Sequence, residues 1–254
     1  MTVAFATAGI IAALAYLMRM LTAGGSIAAT FVGGAALLAG KGWVALLLFF
    51  FISSSVLSRW RATERERLVG PMLEKGSRRD AAQVLANGIV FAVAALLSTV
   101  SNPEPWQAVG AGAIAAATAD TWSTEIGTIL GGTPRMLLVG REVQPGTSGG
   151  VSIAGLVSGV AASILAALVS SGMDWKTPIL AVVVGGVTGS LVDSVLGATI
   201  QERRWCSNCT VATERRIHTC GTRTIHRGGI QGCDNDVVNL VSIIAGAVVT
   251  WAFT

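Results

Sequence analysis

The 254-residue chain is 52% hydrophobic and only 13% charged, with a mean hydropathy of +0.65. This composition excludes an ordinary soluble core and points to a polytopic membrane protein whose helices fill most of the sequence. The net charge of +4 does not signal nucleic acid, because the basic residues are confined to a few loops between apolar spans.

Hydropathy and the punctuation by charge, Gly and Pro predict eight spans, at about 3–21, 24–40, 42–58, 80–101, 106–130, 149–171, 177–200 and 235–253. Together they make one all-α integral membrane domain, residues 1–254, a bundle of about eight transmembrane helices. The first span lacks a basic start and is long enough to remain as a span, so no cleavable signal is expected. Alternation places three loops on one side: Arg59–Arg79, Gly131–Thr147 and Gln201–Asp234. They carry seven, two and six of the 18 Lys and Arg, with Arg19 near the same side and only Lys41 and Lys176 opposite. By the positive-inside rule that side is cytoplasmic and both termini face out. The cell membrane, or an equivalent internal membrane, is the expected location.

The first three spans are rich in small residues, Gly24, Gly25, Gly33 and Gly34 among them, and read as scaffold. The run from Gly34 to Lys41 fails the spacing of a phosphate-binding loop. Arg59 to Arg67 alternates basic and acidic residues and reads as a helical extension lying at the membrane surface. Beyond it, Ser77 and Asp80 have capping-box-like spacing at the start of the fourth span. Arg79, Gln83 and Asn87 recur at i, i+4 and i+8, a polar stripe suited to holding a phosphate at the mouth of a cavity.

The fifth span carries Ala119-Asp120-Thr121-Trp122-Ser123-Thr124-Glu125. An Asp at the centre of a membrane helix costs at least ~2.5–3.5 kcal/mol on insertion scales, so it demands a partner. Asp120, Ser123 and Thr124 share one helical face, an all-oxygen set suited to Mg²⁺. The loop after this span ends in Gly146-Thr147-Ser148-Gly149-Gly150, whose backbone N–H groups, at the start of the sixth helix, are placed to face an anion.

In the seventh span Gly185, Gly189, Asp193, Gly197 and Gln201 follow at four-residue spacing, with Ser190 and Ser194 beside Asp193. A close-packing stripe thus delivers a second carboxylate. Asp120 and Asp193 each lie about ten residues from the cytoplasmic end, or ~15 Å, so they are expected to meet at one depth around a shared cation. The following loop holds Cys206-x₂-Cys209 and His218-x-Cys220, a set able to close a structural zinc site. The eighth span opens with Asp234 as a cap, followed by Asn235, Asp236 and Asn239.

The order of these motifs, RRDAAQVLANG (78–88), ADTWSTEIG (119–127), GTSGGVS (146–152), GSLVDSVLGATIQ (189–201) and NDVVN (235–239), resembles the integral-membrane family called domain of unknown function 92. That family includes the transmembrane protein 19 group and plant phytyl-phosphate kinase, and is similar, more distantly, to CTP-dependent lipid kinases and cytidylyltransferases. Ser148 and Asp236 depart from the family pattern, where Asn is commoner.

The resemblance implies a kinase that moves the γ-phosphoryl group of CTP, or another nucleotide, to an isoprenyl monophosphate such as phytyl phosphate, a step of tocopherol biosynthesis. Asp120 and Asp193 would hold Mg²⁺ with Ser123 and Thr124, with Glu125 and Asp236 as supporting acids. Arg78, Arg79, Gln83 and Asn87 would hold phosphates, helped by Thr147, Ser148, Gly149 and Gly150. Ser190, Asn235 and Asn239 would complete the pocket. The expected partners are a membrane lipid phosphate and a nucleotide, with no nucleic acid; the oligomeric state stays open. Two alternatives remain from the same residues: a CTP-dependent lipid cytidylyltransferase, and a non-enzymatic transporter, which requires polar groups reaching both faces.

Overall fold

The computed structural model describes residues 1–70 and 78–254; the capping reading of Ser77 lies outside them. Among the described residues, eight helices of 16 or more residues form a bundle: α1 (Thr2–Leu17), α2 (Ala23–Ala39), α3 (Lys41–Arg59), α5 (Ala81–Ser98), α6 (Pro103–Leu130), α7 (Ile153–Ser171), α8 (Ile179–Thr199) and α9 (Asn235–Ala252), with the short α4 (Ala62–Val69) between α3 and α5. Five of them, α3, α5, α7, α8 and α9, are long and apolar enough to cross a membrane; α1 and α2 are shorter apolar helices. The longest helix, α6, is not among those five. It is rich in Ala and Gly, carries three acids, Glu104, Asp120 and Glu125, and runs through the middle of the bundle in contact with α3, α5, α7, α8 and α9.

Local chemistry sets the helix ends. Asp80 caps α5 in a reciprocal capping box with Gln83. Asn102 with Pro103 starts α6, while Ser152 and Asp234 accept the first N–H groups of α7 and α9. The run 59–67 is not one continuous extension of α3. Trp60 adopts an extended conformation and Arg61 a left-handed one (φ 53°), so α4 sets off in a new direction. Two small sheets complete the chain. One pairs β1 (Arg135–Met136) with β2 (Gly150–Val151); the other, ordered β4-β3-β5, is made of β3 (Arg203–Cys206), β4 (Val211–Thr213) and β5 (Ile225–Gly228).

The three predicted basic loops gather at one end of the bundle. The α1–α2 turn is bonded there to the start of α5, Thr22 N–H to Arg79 O at 3.0 Å and Arg79 N–H to Met20 O at 3.0 Å. Arg59 reaches Met18 O at 2.6 Å, and Arg215 reaches Gly70 O at 2.9 Å. The other end is closed by Trp43, packed against Phe91 and Trp175 with ring centroids 5.1 and 4.8 Å away. The exposed Lys176–Glu104 pair lies at that end too.

Small residues bring α6, α8 and α9 together. A Cβ placed on Gly185 would run into Thr250 and the Gly246 carbonyl, and one on Gly189 into Ala116 and the Ser242 carbonyl. Close approach of three backbones is what aligns polar groups from separate helices at one level. Gly185→Val should therefore lower stability by about 1–3 kcal/mol through overpacking, read as a fall in melting temperature in detergent. Gly9→Ala, whose new methyl would meet only Thr30 at 3.7 Å, should leave it unchanged.

Candidate active site

Asp120 of α6 and Asp193 of α8 come together inside the bundle, where both line the same two clefts. Ser242 of α9 donates to Asp193 Oδ2 at 3.5 Å. Beside them the Ser190 and Ser123 hydroxyls are 3.4 Å apart. The two carboxylates stand where two clefts join. The larger, about 210 Å³, extends from them past Thr121 and Asn239 to Arg79, Gln83 and Asn87. The other, about 120 Å³, is lined by Ser123, Ser190 and the 146–150 loop. Asp120, Thr124, Asp193 and Asn235 line both.

The larger cleft also shares a wall with a third space. Arg79, Gln83, Asn87 and Thr121 line a groove of about 150 Å³ whose remaining walls are Ala, Val, Leu, Ile, Phe and Gly from α1, α2, α3 and α5. A polar cavity and an apolar one thus lie side by side, with Arg79, Gln83, Asn87 and Thr121 lining both.

Most of the residues singled out by the sequence converge here, but several have duties of their own. Gln83 accepts from Asp80 N–H at 3.1 Å as part of the helix cap, and Asn87 donates to Gln83 O at 2.9 Å. Asp234 is both the cap of α9 and part of the cleft wall, as are Asn235 and Asp236. Arg78 is a correction to the expected phosphate-holding pair: its guanidinium donates to Leu21 O at 2.9 Å and lies over the Tyr16 ring, outside the lining of all three spaces. Glu125 borders the larger cleft, yet Arg65 holds one of its oxygens at 2.7 Å and Ser58 the other at 2.8 Å. Both are therefore committed to locking α4 and α3 onto α6.

The glycine loop does not run straight into α7 as expected, since β2 intervenes. Thr147 N–H is bonded to Gln144 O and Gly150 N–H to Thr147 O, so these two donors serve the turn. Gly149 has φ +79° and its missing Cβ would overlap Ala198 of α8, a position only glycine fills without strain.

Sequence reasoning missed Arg65, Arg216 and Glu214, all of which line the larger cleft. Glu214 accepts from Ser148 Oγ at 2.6 Å and from Gln201 Nε2 at 2.9 Å, bridging the α8–α9 segment to the glycine loop. The signal available was only the charge of those loops. Glu202 also lines the cleft; the Gly232 N–H at 3.0 Å and then the adjoining Arg204 guanidinium hold its carboxyl below the usual range despite burial.

The four predicted sulfur and nitrogen ligands are also brought together. Cys206, Cys209, His218 and Cys220 offer atoms that all lie within 4.8 Å of one another.

The chain matches the family described as "Integral membrane protein DUF92" over residues 6–247. It belongs to that family. Protein PGR of Arabidopsis thaliana is 31% identical, the match covering 95% of this chain and 91% of that relative. An uncharacterized membrane protein of Methanocaldococcus jannaschii is 32% identical over 66% of this chain and 69% of its own. Protein VTE6, chloroplastic, also of Arabidopsis thaliana, is 26% identical over 83% of this chain and 58% of that relative. No solved structure matches the chain significantly. All of the cleft residues described above fall within the segment that matches the family.

Two expectations follow. Arg65→Ala leaves Glu125 without its cation in a buried setting and should cost about 3–5 kcal/mol, with the added change Glu125→Gln recovering part of the loss in a thermal melt. For Glu202 the folded pKa lies below the unfolded one, so its stabilisation is present above the unfolded value of about 4.3 and is lost as pH falls through the folded value. Resistance of the 201–234 segment to an acid protease should accordingly weaken below about pH 4, and Glu202→Gln should flatten that dependence.

Proposed function

We propose that the protein is an isoprenyl-monophosphate kinase, similar to phytyl-phosphate kinase, which transfers the γ-phosphoryl group of CTP or another nucleotide to a lipid phosphate. The observation that carries this reading is the shared wall at Arg79, where the apolar groove meets the polar cleft. In this reading the isoprenyl chain lies along the apolar groove, and its phosphate meets a guanidinium that is half-buried and stacked over Phe50. The similarity to VTE6 supports a phytyl-phosphate kinase-like membrane protein.

In the transfer, a phosphate oxygen of the acceptor attacks the γ-phosphorus and the bond to the β,γ-bridging oxygen breaks. The products are the isoprenyl diphosphate and the nucleoside diphosphate. The attacking oxygen is already ionised, so no side chain has to remove a proton, and the protein's task is positioning and charge compensation. Arg79 with Asn87 orients the acceptor. The 146–150 loop and Ser190, across the diacid, form the second compartment for the nucleotide phosphates. Asp120 and Asp193, adjoined by the hydroxyls of Ser123, Thr124 and Ser242, are an oxygen donor set that fits Mg²⁺. When bound there, the ion supplies charge neutralisation for the phosphates in transfer.

The basic loops support a cytoplasmic orientation for this end of the bundle. A transporter is disfavoured by the plug of Trp43, Phe91 and Trp175 at the opposite end, since a path through the protein would have to open it. A cytidylyltransferase would use the same cleft but attack the α-phosphorus.

In oriented vesicles with Mg²⁺, label from γ-³²P CTP should appear on an added isoprenyl monophosphate only when the nucleotide is on the basic-loop side. Transfer of α-label would instead assign a cytidylyltransferase, and no transfer from any nucleotide would remove the kinase reading. Asp120→Asn and Asp193→Asn should each lower turnover by ~10²-fold or more with the melting temperature retained.

A further inference from the structure

The segment between α8 and α9 folds into a β-structure without an apolar core. Its described residues from Arg203 to Gly232 include only four that are buried, Cys206, Thr213, His218 and Thr224, while Val211, Ile217, Ile225 and Ile230 are exposed. About thirty residues cannot be held in one conformation by three short strands alone, and small units of this kind are fixed by disulfides or metal.

Two tight turns in this segment point at each other. The first is the Cys206-to-Cys209 turn between β3 and β4, closed by Thr210 at φ 53°. The second is a hairpin in which Ile217 bridges Arg223, His218 N–H bonds to Thr222 O, and Gly221, at φ +82°, bonds back to His218 O. The first turn presents two sulfurs; the second presents an imidazole and a sulfur. Cys206 Sγ lies 3.6 Å from Cys220 Sγ, and His218 Nδ1 lies 3.3 Å from the same Cys220 sulfur. These sulfurs are too far apart for a disulfide, whose bond is about 2.05 Å. Around a zinc ion with Zn–S about 2.3 Å and Zn–N about 2.0–2.1 Å, the edges of a tetrahedron come to about 3.8 Å for sulfur to sulfur and about 3.6 Å for sulfur to nitrogen. The observed separations lie close to those edges. His218 is buried, at 6% exposure; its Nδ1 faces the sulfurs, and among the described residues its Nε2 has no hydrogen-bond partner.

We infer that Cys206, Cys209, His218 and Cys220 bind one structural zinc ion, and that this ion holds the clasp which delivers Glu214 to the glycine loop. Three thiolates and an imidazole in tetrahedral array select zinc over the hard cations that suit the diacid. The path of the chain makes the link to the cleft. Between the Cys209 and His218 ligands it passes through β4 and Glu214, the residue bonded to Ser148 and Gln201. The fourth cysteine, Cys233, stands apart from the cluster and serves as an internal control.

The test is the metal content of the full-length protein purified in detergent from zinc-replete cells, by inductively coupled plasma mass spectrometry. One zinc per chain is expected, retained in Cys233→Ser and lost in Cys206→Ser and in Cys220→Ser. Exchange of wild-type protein with cobalt(II) should give the visible bands of a tetrahedral site with sulfur-to-cobalt charge transfer, a readout that does not depend on any variant folding. Stripping zinc with a chelator should expose the 203–232 segment to protease while the helices stay protected, and zinc should restore the resistance. Wild-type protein without zinc whose four thiols alkylate freely, or protein carrying iron in its place, would overturn the assignment, as would zinc retained by both ligand variants.

Discussion

Two carboxylates brought to one cleft inside a helical bundle are the constraint around which this molecule is built. Each acid is costly to bury in an apolar setting, and the pair repels unless something compensates. The backbone of α6, α8 and α9 is brought close by Gly185, Gly189, Gly246 and the alanines facing them, which sets Asp120, Asp193 and Ser242 at one level. Hydroxyls then surround the diacid on three helices. A packing rule for small residues is therefore also what produces the donor set, and loss of close approach would separate the acids before it unfolded the bundle.

Much of this was legible in the sequence because its signals are local. Hydropathy located all eight long helices, and the four-residue spacing on α8 correctly placed Asp193 on the tightly packed face. The ends were less accurate: α1 stops at Leu17 and α6 starts at Pro103, since caps and Pro fix those points rather than hydropathy. What the sequence hid was mostly long-range. Nothing in the alternating charges of 59–67 says that Arg65 turns inward to meet Glu125, sixty residues away, nor that Arg61 takes a left-handed conformation that redirects the helix. Arg78 and Arg79 are neighbours in the chain, yet the side chain of one ties down the α1–α2 turn and only that of the other reaches the cleft. Strands of three or four residues, as in β3 to β5, are too short for an alternating pattern to declare itself.

The arrangement of the three spaces explains why so many loops converge on one end. In the proposed reaction a lipid phosphate and a nucleotide differ in the solvent each comes from, and a transfer between them requires a site reached from both. The bundle supplies the apolar approach through its helices, and the loops supply the aqueous one. Glu214 and Ser148 join the two extramembrane segments, so the glycine loop is positioned from above by the α8–α9 clasp and from below by the Gly149–Ala198 contact with the helix that carries Asp193. A displacement of either segment would be felt at the glycine-loop side of the two carboxylates.

The helices α1 to α3 read from sequence as scaffold, because they are rich in small residues. Their faces nevertheless form most of the apolar groove, and this changes what their composition means. Ala8, Ala12, Ala15 and Gly33 keep that groove open where larger residues would fill it. Under the proposed function, Arg79 and Asn87 meet a phosphate common to every isoprenyl monophosphate and do not distinguish one chain from another. Discrimination by length and branching has to come from the shape of the groove, and a methylene gained or lost in such a pocket is worth about 1–3 kcal/mol. In the proposed transfer, selection among acceptors therefore rests on the groove built largely by α1, α2 and α3, and the polar residues of the cleft act on the phosphate common to all of them.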